Sequence, residues 1–511
     1  MKRLTLTGIA LLLAIALQAQ VEDDWKKAIQ DSQNAAFKEF EQFQRQAHQE
    51  YEDFRRKANE EYAKFMENAW KMFEIQAAEE PPTKPKPPVP VFDDTEPDPS
   101  PNPEPGPDTR PEATPIRIPD PIQILELSRS NSSPKLERPK PLEPIKPNTV
   151  PHSAAQNVFL YGSTFAFHLE REQTLHLDDA SEKSVAKMWR QLSDSSFDPI
   201  VAESLQQRDK YNLCDWAYVK LTQQVAEKQF GEGTNEAVVM QMYLLTQSGY
   251  QMRIGRDKED RLFLLIGSKE QIYRYQCFKK EEIRYYIIDR SFNKKEMFVY
   301  DHAFPQETSL SLALTQPKLQ ETLTEKRTVA SSRYPEVEAT VQTNSNLIAF
   351  YNDYPQSSMW NYYTKASMSD VLKESLYPTL RQAIEGKTTL QAANILLNFV
   401  QTGFRYQTDD VQFGYERPLF PDETFYYPFC DCEDRSILFS CLVRELLGLD
   451  VVLLNYPEHL ATAVCFNEEV KGDYLLVGDK TYIICDPTYI NARVGECAPK
   501  YKSISPTVVV L

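Results

Sequence analysis

The stretch FCDCEDRSILFSCLVRELLG, Phe429 to Gly448, carries Cys430, Cys432 and Cys441, the first two separated by a single Asp. Glu433 and Asp434 suit the first turn of a helix. Ile437, Leu438, Leu442, Val443, Leu446 and Leu447 give it one apolar face, and Gly448 a stop. Cys432 therefore falls at a helix mouth, where unpaired N–H groups and the dipole favour a thiolate. Cys441, nine residues on, reads as a small core residue. The chain has six histidines, and after His302 only His459 remains, 27 residues past Cys432 at the start of the strand-like run HLATAVCF. Another 27 residues on, Asp486 ends the apolar run TYIIC and precedes Pro487, where a strand should stop. A nucleophile on a helix start, a base on one strand and an orienting acid after the next are the parts of a thiol triad: Cys432, His459, Asp486.

Other readings of these cysteines stay open on sequence. A zinc site could draw on Cys430, Cys432, Cys465, Cys485 and His459, but no second Cys-x-x-Cys or His-x-x-His accompanies them. A structural disulfide, a Cys430–Cys432 redox switch and a remnant triad without turnover are the others. No cofactor-binding or metal-ligating constellation is expected, and the nucleophile reading is preferred, with Cys432 ahead of Cys430.

The elements that would position these groups are α+β. Helical patterns LCDWAYVKLTQQVAEKQF, EAVVMQMYLLTQ, TLQAANILLNFVQ and RSILFSCLVRELLG interleave with strand patterns RLFLLIG, YYIID, VVLLNY and TYIIC. On Cys432-Glu433-Asp434, His459 and Asp486-Pro487-Thr488, residues 380–490 resemble the transglutaminase-like superfamily, which has a papain-like α+β fold. Cys430 stands where that family has Gly, and no Trp follows His459. The resemblance implies that the Cys attacks a Gln side-chain or peptide carbonyl to form a thioester. His459 would be general base and acid, with Asp486 orienting it. The backbone N–H of Cys432 would serve the oxyanion, and Tyr426 or Tyr427 is a candidate side-chain donor. Hydrolysis is preferred to crosslinking, because an exported enzyme works in water and nothing marks an amine site. The competing expectation is an envelope scaffold that binds a partner without turnover.

A second stretch repeats the arrangement without the chemistry. GTNEAVVMQMYLLTQSGYQMRIG, from Gly233, overlays CEDRSILFSCLVRELLGLDVVLLN, from Cys432, with Gly249 and Gly448 both sixteen residues on. Asp289 then falls forty residues past Gly249, as Asp486 falls thirty-eight past Gly448, and no His lies between His176 and His302. The expectation is a degenerate copy over 153–335 ahead of a catalytic domain over 336–511.

The rest of the chain gives context. The N-terminal MKRLTLTGIALLLAIALQAQ has a basic start, a short apolar run and a plausible cleavage site, so residues 1–20 read as a signal peptide and the destination as periplasmic or secreted. No later segment reads as a membrane span. Residues 21–79 read as one long helix with an eleven-residue period: Ala36, Ala47, Ala58 and Ala69; Phe40, Tyr51, Tyr62 and Phe73; Phe43, Phe54 and Phe65. Its stripe suggests self-association. Residues 80–152 hold 22 of the 35 prolines and read as a disordered linker. A net charge of -17 argues against a nucleic-acid partner; a protein or peptide substrate is what the family resemblance implies.

Overall fold

The computed structural model describes parts of 38–50, then 52–68, 70–82, 91, 120–129, 154–169, 175–193, 197–357 and 360–511. The signal peptide over 1–20 and most of the Pro-rich stretch lie outside these residues. No helix among the described residues is long and apolar enough to cross a membrane.

The fold is α+β, and the helical and strand patterns of the sequence form as expected. Its strands are β1 (Trp70–Glu74), β2 (Glu126–Arg129), the hairpin β3–β4 (Gln156–Leu160, Ser163–Phe167), β5 (Met252–Arg256), β6 (Leu262–Ser268), β7 (Cys277–Lys280), β8 (Ile283–Ile287) and β9 (Glu296–Tyr300). They continue with the hairpin β10–β11 (Arg327–Ala330, Glu338–Val341), the short parallel pair β12–β13 (Arg405–Tyr406, Phe429–Cys430), β14 (Asp450–Tyr456), β15 (His459–Cys465), β16 (Tyr474–Val477), β17 (Lys480–Cys485) and β18 (Thr507–Val510). Two six-stranded sheets dominate. One runs β1-β9-β5-β6-β8-β7, and the other, read from the corresponding edge, runs β2-β18-β14-β15-β17-β16. The strand order is the same in both. The edges differ, because β1 is antiparallel to β9 whereas β2 is parallel to β18.

The helices are α1 (52–66), α2 (Glu182–Leu192), α3 (Asp198–Lys210), α4 (Asp215–Phe230), α5 (Asn235–Gln247), α6 (Ser345–Asp353), α7 (Trp360–Lys365), α8 (Asp370–Ile384), α9 (Thr389–Thr402), α10 (Asp409–Gln412), α11 (Pro421–Tyr426) and α12 (Cys432–Leu442). Each sheet receives a buried helix that feeds its first hairpin: α5 before β5–β6, α12 before β14–β15. Thr234 caps α5 by accepting from the Ala237 N–H, and ten of that helix's thirteen residues are buried, so it is a core helix rather than an amphipathic one. The boundary expected at 335/336 is not clean. The first core cluster takes Leu347, Phe350, Tyr351, Tyr354, Tyr363, Phe420 and Ile437 from beyond it, while Val329 packs in the second.

Two expectations about the N-terminal third need correction. The helix does not continue to residue 79: it ends at Met66, whose carbonyl accepts from Trp70 Nε1 at 2.9 Å, and Trp70–Glu74 becomes β1. The eleven-residue pattern reaches Phe73, but an open sheet edge at β9 competes for that backbone and takes it. The stripe itself is divided. Ala58, Tyr62, Ala63 and Met66 are buried in the chain's own core, while Phe40, Phe43, Phe54 and Phe65 are exposed. Arg55 anchors the docking through an ion pair with Asp198 and hydrogen bonds to Gln247 at 3.1 Å and Tyr243 at 3.0 Å. The second correction concerns 80–152. Among its described residues, Glu80 pairs with Arg274 at 3.6 Å, Val91 bridges Ile490, Ile122 N donates to Tyr474 O, and β2 extends the second sheet. Ile122 and Ile124 stand in IQILEL, an apolar island among the prolines; Ile122 is buried in the core of the second sheet and Ile124 packs against it.

Replacing Arg55 by Ala strands a carboxylate and two core polar groups, and the expected loss is about 2–4 kcal/mol in urea unfolding. Phe54→Ala, one residue away on the exposed side, is expected to change stability by no more than about 0.5 kcal/mol.

Candidate functional site

The approach to α12 is fixed before the helix begins. β13 pairs with β12, and Gln407 N donates to Cys430 O, which fixes the backbone at Cys430. Asp431 is the N-cap. Its carboxylate accepts from Glu433 N at 3.2 Å, and Asp434 returns the bond by accepting from Asp431 N at 3.0 Å. Asp434 also accepts from Leu419 N at 2.8 Å. Cys432 is thus the first helical residue, as the sequence predicts, and every residue of the helix is buried. The helix leaves through a π turn, Val443–Leu447, and Gly448 closes it at φ +66.

His459 opens β15, opposite Tyr456 in the register of the β14–β15 hairpin. Its Nε2 lies 2.8 Å from Asp486 Oδ2, with both residues 3 % exposed. Asp486 follows β17, and its other oxygen accepts from Thr488 N at 2.9 Å and Tyr489 N at 3.2 Å, which fixes the carboxylate. With Nε2 taken by Asp486, Nδ1 is the nitrogen left for a reacting group. The His459 ring lies nearly parallel to Tyr501, centroids 4.7 Å apart.

Cys432 reaches this end of the sheet from the helix side. Ser436, one turn in, donates to Leu460 O at 2.8 Å, and Cys432 packs with Leu453, Leu460 and Val509, flanked by Trp360 and Leu511. The pleat separates these neighbours: Leu460 faces Cys432, while His459 stacks with Tyr456 and Tyr501 on the other face. Cys432 Sγ donates to Glu433 Oε2 at 2.9 Å. Burial pushes the Tyr501 hydroxyl well above its ordinary value, and the Asp486 carboxylate adds to the shift. The described hydrogen bonds join His459 to Asp486 and Cys432 to Glu433, and none joins Cys432 to His459.

The remaining sequence candidates separate. All eight cysteines are free thiols, so no disulfide uses Cys432. Burial pushes the Cys430 thiol up to about 11 even though Arg435 pulls it down, and pushes Cys441 up to about 12. Cys441 donates to the Thr364 and Ala366 carbonyls as a core residue. Tyr427 donates its hydroxyl to Asn352 at 2.8 Å and Tyr426 is exposed, so neither has a bond to the helix mouth among the described contacts. Tyr501 was not legible in the sequence. It lies in KYKSIS with no spacing rule tying it to His459. For a metal, the atoms that converge are mostly oxygens: Asp409, Asp431 and Asp434 within 4.8 Å of one another, and Asp431, Cys432 and Glu433 likewise. That is not the sulfur-rich set considered from sequence. Asp409, Asp431 and Asp434 already accept backbone N–H groups, which accounts for their burial without an ion.

Comparison of the chain with family models, with curated proteins and with solved structures returned no match.

The carboxyl groups around α12 carry a pH signature. Asp422 on α11 accepts from Ser369 N at 3.0 Å and from its hydroxyl, yet complete burial pushes the acid up to about 6 from 3.8. Because the folded value lies above the unfolded one, ionising Asp422 costs the folded state. The cost is absent below about pH 4, grows to pH 6 and then stays constant, at about 3 kcal/mol. Asp422→Asn is therefore expected to gain stability relative to the parent as pH rises from 4 to 7, measured by urea unfolding at each pH. A pH-independent difference between the two proteins would contradict this.

Proposed function

We propose that the chain is an exported transglutaminase-like cysteine enzyme that forms a thioester on Cys432 with a peptide or Gln amide and favours hydrolysis over amine transfer. The papain-like reading of the second sheet and α12 belongs to this proposal. The observation that carries it is the buried His459–Asp486 pair, set at the start of the strand to which Ser436, one turn into α12, is bonded at Leu460. A neutral imidazole held through Nε2 is built to take a proton on Nδ1 and return it. For the thiol proton to pass to His459 as sulfur attacks the carbonyl carbon, the start of β15 must turn so that Nδ1, which now lies on the Tyr501 face, meets the sulfur. The ammonia or amine leaves with that proton, and water then resolves the thioester to a carboxylate and free thiol. The Cys432 N–H, at the positive end of α12, supplies an oxyanion donor. Among the described residues the buried Tyr501 hydroxyl has no hydrogen-bond partner, which suits a donor reserved for substrate.

A second reading has its own support. Cys432 is 1 % exposed and its proton rests on Glu433, as befits a binding protein that retains a remnant triad. For turnover, the Trp360 and Leu511 side must open.

The test is incubation of the full chain with Gln-containing peptides and 4-nitrophenyl acetate, followed by mass spectrometry. The enzyme reading expects acetylation at Cys432 and deamidation of Gln. Cys432→Ala and His459→Ala should each lose at least about 100-fold in rate. Tyr501→Phe, which keeps the ring stack, should lower kcat by about 10-fold with little change in KM. Labelling confined to Cys465, the one cysteine that is not fully buried, would decide for the binding protein.

A further inference from the structure

We infer that the cleft at the α5 end of the first sheet is a binding site for a peptide-borne primary ammonium group, a lysine side chain being the natural case. The cleft measures about 540 Å³ and occupies the place that the triad end holds in the second sheet. Asn235 is the first residue of α5, as Cys432 is of α12. Leu262 is the first residue of β6, as His459 is of β15. Asp289 follows β8 as Asp486 follows β17. All three line the cleft. This correspondence shifts the sequence overlay, which set Gly233 against Cys432, by two residues. The π turn ending α12 adds length that α5 lacks.

The correspondence also fixes what the cleft cannot do. Asn235 Oδ1 accepts from Leu262 N at 2.9 Å and its Nδ2 donates to Asp260 O at 3.0 Å, so the side chain at the nucleophile's place is spent on backbone. With leucine at the base's place, the site binds without turnover.

The charges select the ligand. Lys220 is matched by Asp353 at 3.4 Å, Arg261 by Asp257 at 2.9 Å, and Arg290 lies over the Tyr275 ring at 4.9 Å. Two lining carboxylates have no cation among the described residues. Glu227 accepts only the side-chain amides of Gln223 and Gln224, at 2.8 and 3.0 Å. Asp289 accepts only the N–H and hydroxyl of Ser291, at 2.8 and 2.6 Å. Val238, Leu264 and Ile288 give the same cleft apolar wall. Carboxylates beside an apolar wall suit an ammonium on an aliphatic stem, which buries its methylenes and keeps its charge paired. This inference does not rest on the thiol chemistry of Cys432.

The experiment is fluorescence anisotropy on the full chain with fluorescein-labelled Ala-Ala-Lys-Ala-Ala amide and the same peptide acetylated at Nζ. Binding of the lysine peptide, weakened at least tenfold by acetylation and equally by the double variant Glu227→Gln, Asp289→Asn, is the expected result. Cys432→Ala should bind as the parent does, whatever becomes of the enzyme reading. No binding, equal binding of the acetylated peptide, or parental affinity in a folded double variant would overturn the proposal. Should the double variant unfold, the two peptides on the parent chain still decide.

Discussion

A helix start buried on all sides must satisfy its own N–H groups, and the second half of this chain is organised around that demand. The first turn of α12 has no water to turn to, so Asp431 and Asp434 cap it reciprocally and Asp434 also holds the chain at Leu419. That brings carboxylates into the core, a costly placement that is tolerated because each accepts N–H groups and because the helix dipole favours negative charge there. Cys432 takes its position from the same arrangement. As the first residue after the cap, it projects toward the end of the sheet where β15 begins.

The two sheets share a strand order but meet their buried helices with different consequences. In the second, β18 and the segment after α6 close over the end of α12, Tyr501 lies over His459 on the other face, and Cys432, His459 and Asp486 are all buried. In the first, the corresponding end is an open cleft. Burying the polar set of the second sheet is sustainable because its members bond one another. The open set of the first sheet includes carboxylates that only neutral groups satisfy, and such groups stay near solvent.

The described segments of the N-terminal third pack on the rest of the chain. α1 lends Arg55, Tyr62 and Met66 to the first core, β1 extends the first sheet, and β2 extends the second. In each sheet one edge, at β9 and at β18, is thereby paired with chain from before residue 130, which occupies backbone that would otherwise pair with another molecule. The half-exposed phenylalanines of α1, Phe54 and Phe65, border this docking, and Phe65 stacks on His302 with centroids 4.4 Å apart.

Local pattern determined much of this. The four apolar helical runs and four strand runs form where their periodicity places them, and Cys432 falls at the helix mouth because Glu433, Asp434 and the apolar face fix the start. Spacing also pointed to the His459–Asp486 pair, since a strand start and a strand end in one antiparallel sheet have a limited set of ways to meet. Composition could not reveal that Trp70–Glu74 leaves the helical period, or that QILEL inside a proline-rich stretch joins a sheet. Both are decided by open edges formed by residues more than two hundred positions away. Nor could it reveal Tyr501 over His459, the Glu433 carboxylate holding the Cys432 proton, or which active-end equivalent would be open and which sealed. Those depend on which surfaces meet when distant segments pack, and a linear pattern carries periodicity but not adjacency.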